Sequence, residues 1–394
     1  MEKRTPLLLA NILRFIGIMG FGPLLQFHMK DIGVSLFLIS IFSSLQGATT
    51  TFMAPVWGAV SDIAPSKKSI LATTVAVGGI LSSFFYFANS VYSIYLIGVL
   101  YTFFICGFEP ISMALSANNS LISGSSTSRE LSFLSMSNSI GMLISRVLLS
   151  ALLLFFSYKP LILLMSVILT SAFVPVLMIK EKKDMIKYRR RAENFIEKIF
   201  PILKDPKPLR SNGMWALYIA SFLRQAGTAG SMGLAAVFIR DIVGLSESFT
   251  VILAAVNPLF QIPSTYFFGK LAERIHPKFI AILGMSLSIL NLIFMGVATN
   301  YILVILSYAT LGISFGAFIM GVTSYISMYS PINRRGEMLG FLSSSRAFGR
   351  IVGPLVAGII SIFSFRAVFF VLAIMMSLSV PIMLKFTVSE TPEY

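Results

Sequence analysis

Apolar residues run in long stretches along this chain, separated by short turns that hold most of its charges. Stretches long enough to cross a bilayer, about 20 residues each, fall at 7–27, 34–57, 69–90, 92–117, 131–157, 160–180, 213–239, 247–269, 277–298, 300–329, 337–363 and 365–386. They predict twelve transmembrane helices, six in residues 1–180 and six in 213–394, with a cytoplasmic segment at 181–212 between them. The two sets are copies. Leu13-Arg14-x-x-Gly17-x-x-Gly20 recurs as Leu223-Arg224-x-x-Gly227-x-x-Gly230. Gly58-x-x-x-Asp62 matches Gly269-x-x-x-Glu273, and Phe133-Leu134-Ser135 with Gly141 matches Phe341-Leu342-Ser343 with Gly349. The expected fold class is all-α integral membrane, built as two pseudo-symmetric six-helix bundles. Duplicated halves with ionisable groups at matching depths are a common frame for a central substrate site.

Composition agrees, since 56% hydrophobic and 12% charged residues in a chain of 394 cannot cover an ordinary soluble surface. Lysine and arginine concentrate in the N-terminal tail, in the turns at 58–69, 269–278 and 330–336, and in the middle segment, while the opposite turns carry little. The positive-inside rule then places both termini in the cytoplasm and sets Trp57 and Trp215 at the inner interface of a cell membrane. The net charge of +15 is this topology signal, scattered over loops, and argues against a nucleic-acid partner. The first span lacks a cleavage site and is expected to be retained. Within 181–212, Phe195, Ile196, Ile199, Phe200 and Leu203 recur at helical spacing beside many cations. The segment reads as a short amphipathic helix on anionic lipid, or as a solvated linker.

Inside the spans the ionisable residues are Arg14, Glu109, Arg146, Arg224, Arg346 and Arg350. A charge in the apolar region is costly enough to mark function. Arg14 and Glu109 each stand about seven residues from an end of their spans, hence about 10 Å deep, where they can pair. Glu109 has no acidic twin: alignment on Gly107 and Gly316 puts Phe318 opposite it. A carboxylate beside a movable cation suits proton coupling, because apolar burial favours its neutral form and an approaching arginine its ionised form. The alternative is a fixed Glu109–Arg14 bridge between two helices. Five arginines against one glutamate suit a carboxylate or phosphate substrate, although Arg346 and Arg350 can also snorkel to an interface. Gly17, Gly20, Gly227, Gly230, Gly353 with Pro354, and Gly358 are expected at close helix contacts.

Six plus six spans, a basic central loop and Gly-x-x-x-acid turns after spans 2 and 8 together resemble the major facilitator superfamily over essentially the whole chain. The superfamily's turn after span 2, Gly-x-Leu-x-Asp-Arg-x-Gly-Arg-Lys, is matched here by Gly58, Asp62 and Lys67, and its second copy keeps Gly269, Glu273 and Arg274. The resemblance implies a cavity lined by spans 1, 4, 7 and 10, with Arg14, Arg224, Glu109, Arg146 and Arg346 as substrate-binding candidates. It also implies a gate in which Asp62 faces the start of span 11 near Arg334, Arg335 and Arg350, and Glu273 faces Arg129. Arg14 with Arg224 is similar to the arginine pair of organophosphate antiporters in the superfamily. Two exporter features are absent: Gly141-Met142 stands where span 5 would carry Gly-Pro, and Phe103 stands in place of a span 4 arginine.

No helix-borne His pair, Gly-x-Ser-x-Gly or phosphate-binding glycine loop is present, so catalysis, a metal and a cofactor are not expected. His28, His276 and Cys106 occur singly. The expected function is secondary active transport of a small organic solute by alternating access, coupled to protons, with export preferred. Uptake or exchange of an organic anion is the alternative, and a non-transporting scramblase or sensor the contrasting class. The expected partners are the small-molecule substrate, the proton and membrane lipids, around a monomer.

Overall fold

The computed structural model describes residues 5–64, 66–123, 127–179, 211–331 and 334–389. Among them it holds helices and turns and no strand. The helices are α1 (Thr5–Asp31), α2 (Leu36–Ile63), α3 (Lys67–Ser83), α4 (Val91–Ile105), α5 (Phe108–Ser123), α6 (Thr127–Leu152), α7 (Tyr158–Ser171) and α8 (Phe173–Leu177). They continue with α9 (Met214–Met232), α10 (Ala235–Asp241), α11 (Glu247–Leu253), α12 (Val256–Leu271), α13 (Pro277–Gly296), α14 (Tyr301–Tyr329), α15 (Arg335–Ser361), α16 (Phe365–Ser377) and α17 (Ser379–Phe386). The surface helix expected at 192–203 lies outside the described residues.

Many helices start on a capping side chain. Ser35, Ser66, Ser90, Ser246 and Ser364 each accept a hydrogen bond from the backbone N–H three residues on, and Asn300 accepts from Ile302 and Leu303. Proline places most of the breaks within spans. Pro110, Pro175, Pro258 and Pro381 lack the N–H that would bond the carbonyl four residues earlier, and the helix parts at Cys106–Gly107, Ala172, Ala254–Ala255 and Leu378. The α9–α10 break at Gly233–Leu234 has glycine instead. Pro23, Pro55, Pro263 and Pro354 lie inside helices that continue past them.

Among the described residues, ten segments are long and apolar enough to cross a membrane by length and composition. The expected spans at 213–239 and 337–363 are helical, as α9–α10 and α15, but are not among the ten. Arg224 and Gln225 on the first, and Arg346 and Arg350 on the second, lower their hydropathy. Buried Arg224 shows how such a span is tolerated, with its polar group turned into its own unit. Large apolar residues such as Tyr92, Phe155 and Phe363 are more than 80% exposed, as suits a lipid-facing surface.

The chain forms two compact units: unit 1 takes in residues 1–192 and 246–255, unit 2 residues 193–245 and 256–394. Packing inside them follows one plan. In unit 1, α1 packs on α6 and α7, and α3 on α4 and α7; in unit 2, α9 packs on α15 and α16, and α13 on α14 and α16. The glycines of the repeat allow the closest crossings. A Cβ on Gly17 would lie 2.7 Å from that of Leu169, and one on Gly230 would lie 2.6 Å from the Gly353 carbonyl oxygen. Gly20 abuts Met165, Gly227 abuts Met376, and Gly353 meets the Ala226 backbone. Gly358 is buried further along α15.

The placement of α11 departs from a division at residues 181–212. α11 packs against α6 in unit 1, where Ser150 Oγ donates to the Ser248 carbonyl at 3.0 Å and Ser248 Oγ to the Ser150 carbonyl at 2.8 Å. The break before Pro258 separates α11 from α12, which belongs to unit 2.

Candidate functional site

The fourth span shows how sequence places a charge. Because Pro110 cannot donate to the Cys106 carbonyl, α5 starts afresh at Phe108 and Glu109 falls in its first turn, where the helix dipole favours a carboxylate. The Phe103 carbonyl, freed at the end of α4, accepts from the Trp57 indole Nε1 at 2.5 Å and from Cys106 Sγ at 3.3 Å. Trp57 fits there because position 107 is glycine, whose Cβ would lie 2.6 Å from the indole. Trp57 therefore closes the break instead of simply lying at an interface, whereas Trp215 is 40% exposed against Phe386. Glu109 itself is exposed, so the expected apolar burial of its carboxylate is not found.

Arg14 is buried on α1, its guanidinium carbon 4.6 Å from the Phe108 ring centre and 5.1 Å from that of Phe15. Nη1 donates to Asn11 Oδ1 at 3.4 Å, and Nε is buried without a partner among the described residues. Asn11 in turn donates to Ser137 Oγ at 2.7 Å, to the Leu134 carbonyl at 3.3 Å and to Asn138 Oδ1, which ties α1 to α6. Arg14, Glu109, Asn11, Ser112, Met113, Leu134, Ser135 and Asn138 line a partly open cavity of about 260 Å³ within unit 1. Among the described residues, Arg14 and Glu109 share this cavity without an ion pair inside 4.0 Å.

Unit 2 repeats the arginine without the acid. Arg224 donates from Nε to Ser288 Oγ at 3.0 Å and from Nη2 to Ser314 Oγ at 3.4 Å, with its guanidinium carbon 4.4 Å from the Phe318 ring centre. Arg346 approaches the same ring at 6.0 Å and donates to Gln225 Oε1 at 3.4 Å. An arginine at mid-bilayer costs about 2.5–3.5 kcal/mol on insertion scales. A desolvated ring contact contributes about 2 kcal/mol, and a hydrogen bond from a charged group about 1.5–3 kcal/mol. Rings and neutral acceptors thus offset much of the cost of burying the two arginines.

The remaining candidates are dispersed. Arg146 is half-buried on α6 and is not part of the cavity lining; Arg350 is exposed on α15. Arg334 pairs with Glu337, Nε to Oε2 at 2.7 Å, at the start of α15, and Arg335 Nε is buried nearby with no partner among the described residues. Glu273 and Arg274 are exposed after α12. The side chains of Asp62 and Arg129 lie outside the described residues. A Cβ added at Gly58 or Gly269 would meet only ordinary van der Waals contact, at 3.9 Å from Pro110 and 3.6 Å from Met320. Lys67 is 4% exposed, unlike a solvated turn lysine, and so is its twin Lys278, whose Nζ donates to the Leu384 and Thr387 carbonyls at 3.0 and 2.6 Å at the end of α17.

Asn11, Asn138 and the aromatic platforms Phe108 and Phe318 were missing from the residues picked out in sequence. The platforms had a signal: Phe108 and Phe318 stand 210 positions apart, the spacing of Arg14 and Arg224. In that register the counterpart of Glu109 is Ile319, and Phe318 is the twin of Phe108.

The chain is similar to the Multidrug resistance protein MdtG of Rahnella sp., 24% identical over 368 residues that cover 89% of this chain and 85% of that protein. The MdtG of Yersinia enterocolitica is 26% identical over 374 residues, again covering 89% and 85%. In fold it is similar to the nucleoside transporter NupG, with a TM-score of 0.82 at 15% identity over 98% of this chain and 100% of that one. A bacterial homologue of the lysosomal transporter Spinster gives 0.74 at 13% identity, over 97% and 95%. The sequence model of the Major Facilitator Superfamily matches residues 7–226 and again 217–394, one match for each half of the repeat; the chain therefore belongs to the Major Facilitator Superfamily and is a multi-pass secondary transporter, not an enzyme.

Proposed function

We propose that this transporter exports small organic solutes across the cell membrane in exchange for protons, with both termini in the cytoplasm and Glu109 as the proton carrier. The observation that carries the reading is the shared cavity of about 260 Å³, in which Glu109 faces Arg14 without pairing to it. A carboxylate that is neither buried nor bridged is accessible to a proton and to substrate. Asn11, Asn138, Ser112 and Ser135 supply neutral donors and acceptors for a polar or amphipathic solute. Relatives named as multidrug resistance proteins support the direction. In this reading Asp62, Lys67, Glu273, Arg274, Arg129, Arg334, Arg335 and Arg350, with Gly58 and Gly269, belong to the gating turns.

The test is proton-driven accumulation in inside-out vesicles. Glu109→Gln is expected to abolish uphill accumulation while sparing downhill exchange. Uphill transport equal to the parent protein would remove Glu109 as the proton site. A second reading, transport of an organic anion, is favoured by Arg224 and Arg346 facing one Phe318 ring. It requires Arg224→Gln to weaken an anionic ligand far more than a neutral one of equal size.

A further inference from the structure

Unit 1 holds a second cavity, of about 140 Å³, further along α1 from the N-terminus and distinct in chemistry from the first. Seven residues, about 10 Å of helix rise, separate Arg14 from Phe21, which opens its wall. None of its lining side chains carries a charge at neutral pH. Its faces are aromatic: Phe21, Phe42 and Tyr101 line it, each no more than 5% exposed. Phe85 braces all three from behind, with ring centres 6.2, 6.4 and 5.9 Å away. Such ring-on-ring packing fixes the walls before any ligand arrives.

Two further observations point to an occupant. The Tyr101 hydroxyl is buried with no hydrogen-bond partner among the described residues, a state that buried hydroxyls rarely keep. Gly22, also in the lining, has nothing within 4 Å of where a Cβ would stand, so α1 presents bare backbone to open space there. An apolar cavity of about 150 Å³ is enough to admit benzene. None of the lining side chains would offset the charge of an ionic ligand. From volume, walls and orphan hydroxyl together, we propose that this cavity is a second ligand site that takes a single uncharged aromatic ring carrying a hydrogen-bond acceptor for Tyr101. Gln26 and Gln46 supply the polar rim. The proposal does not depend on Glu109 carrying a proton, because occupancy is read at equilibrium.

The probes are 4-fluoroacetophenone, which has an acceptor, and 4-fluorotoluene, which has none, titrated by fluorine NMR into the protein in lipid nanodiscs with empty nanodiscs as the partition baseline. The expected result is saturable binding of both, with the ketone about 10-fold tighter, the worth of one hydrogen bond. Tyr101→Phe should erase that preference while keeping saturable binding. Gly22→Leu, whose Cβ would meet nothing within 4 Å, should abolish saturable binding of both. Glu109→Gln should leave both titrations unchanged. The proposal is overturned by signals that only track empty nanodiscs, by a ketone preference that survives Tyr101→Phe, by full binding in Gly22→Leu, or by loss of binding in Glu109→Gln, which would assign the probes to the other cavity.

Discussion

Gly353 and Gly340 stand on one helix and respond to alanine in opposite ways. At Gly353 a Cβ would be forced against the Ala226 carbonyl where α9 and α15 cross, whereas at Gly340 it would meet nothing within 4 Å. Overpacking of that kind typically costs about 1–3 kcal/mol, while relief of a helical glycine contributes about 0.5–1 kcal/mol. Thermal denaturation of the purified protein should therefore show Gly353→Ala melting lower than the parent and Gly340→Ala melting at or above it; equal shifts would refute the crossing as a tight one. At this scale the sequence was legible where a residue's chemistry is unusual for its surroundings. Arginines in apolar spans and repeated glycines announced themselves. Asn11 did not, because an asparagine near a helix end is ordinary until Ser137 and Asn138 are seen to converge on it from another helix. Nor did Lys278 differ, in sequence, from any cation in a basic turn, although its ammonium is buried on the carbonyls that end α17.

Among the elements, α13 begins on a titratable cap. His276 Nδ1 accepts from the Lys278 N–H at 3.3 Å, and Nε2 lies 2.9 Å from the Tyr329 hydroxyl. Burial, and then the charge of Lys278, push the His276 pKa below its ordinary value of about 6.5. The folded chain thus binds this proton less readily than the unfolded one. The stability linked to His276 is fully present above about pH 6.5 and is lost as pH falls through the lowered folded value. His276→Asn keeps an acceptor at the cap but does not titrate. Between about pH 7 and pH 5, the parent's melting temperature should fall more steeply than that of the variant, and parallel curves would exclude His276 as the source. Spans were legible as elements because a bilayer demands long apolar stretches. Their interruptions were less so, since Pro110 and Pro258 break a helix while Pro23 and Pro354 do not, and the sequence around a proline does not say whether neighbours hold the helix together. The spans of α9 and α15 lie at the limit of what hydropathy can find, because their polar groups are sheltered by the fold itself.

For the molecule as a whole, the eighth span is divided: α11 is part of unit 1 and α12 part of unit 2. The duplicated sequence announced two like halves but not this exchange, which rests on the reciprocal Ser150–Ser248 hydrogen bonds. Joining these positions should arrest the cycle. Oxidation of a Ser150→Cys/Ser248→Cys variant, in a background with Cys106→Ser, is expected to stop transport, and reduction to restore it. Unimpaired turnover of the oxidised protein would mean that the α6–α11 contact persists throughout. The repeat also has a thermodynamic corollary. Since Ile319 stands where a second Glu109 would be, the duplicated frame holds a single carboxylate beside its twin arginines. On the proposal that Glu109 carries the proton, one proton per turnover is expected. One charge crossing about 100 mV is worth about 2.3 kcal/mol, and about 1.4 kcal/mol sustains a tenfold concentration ratio. Voltage alone then caps the gradient of a neutral solute at roughly fifty-fold, and each unit of pH difference raises that ceiling by about tenfold.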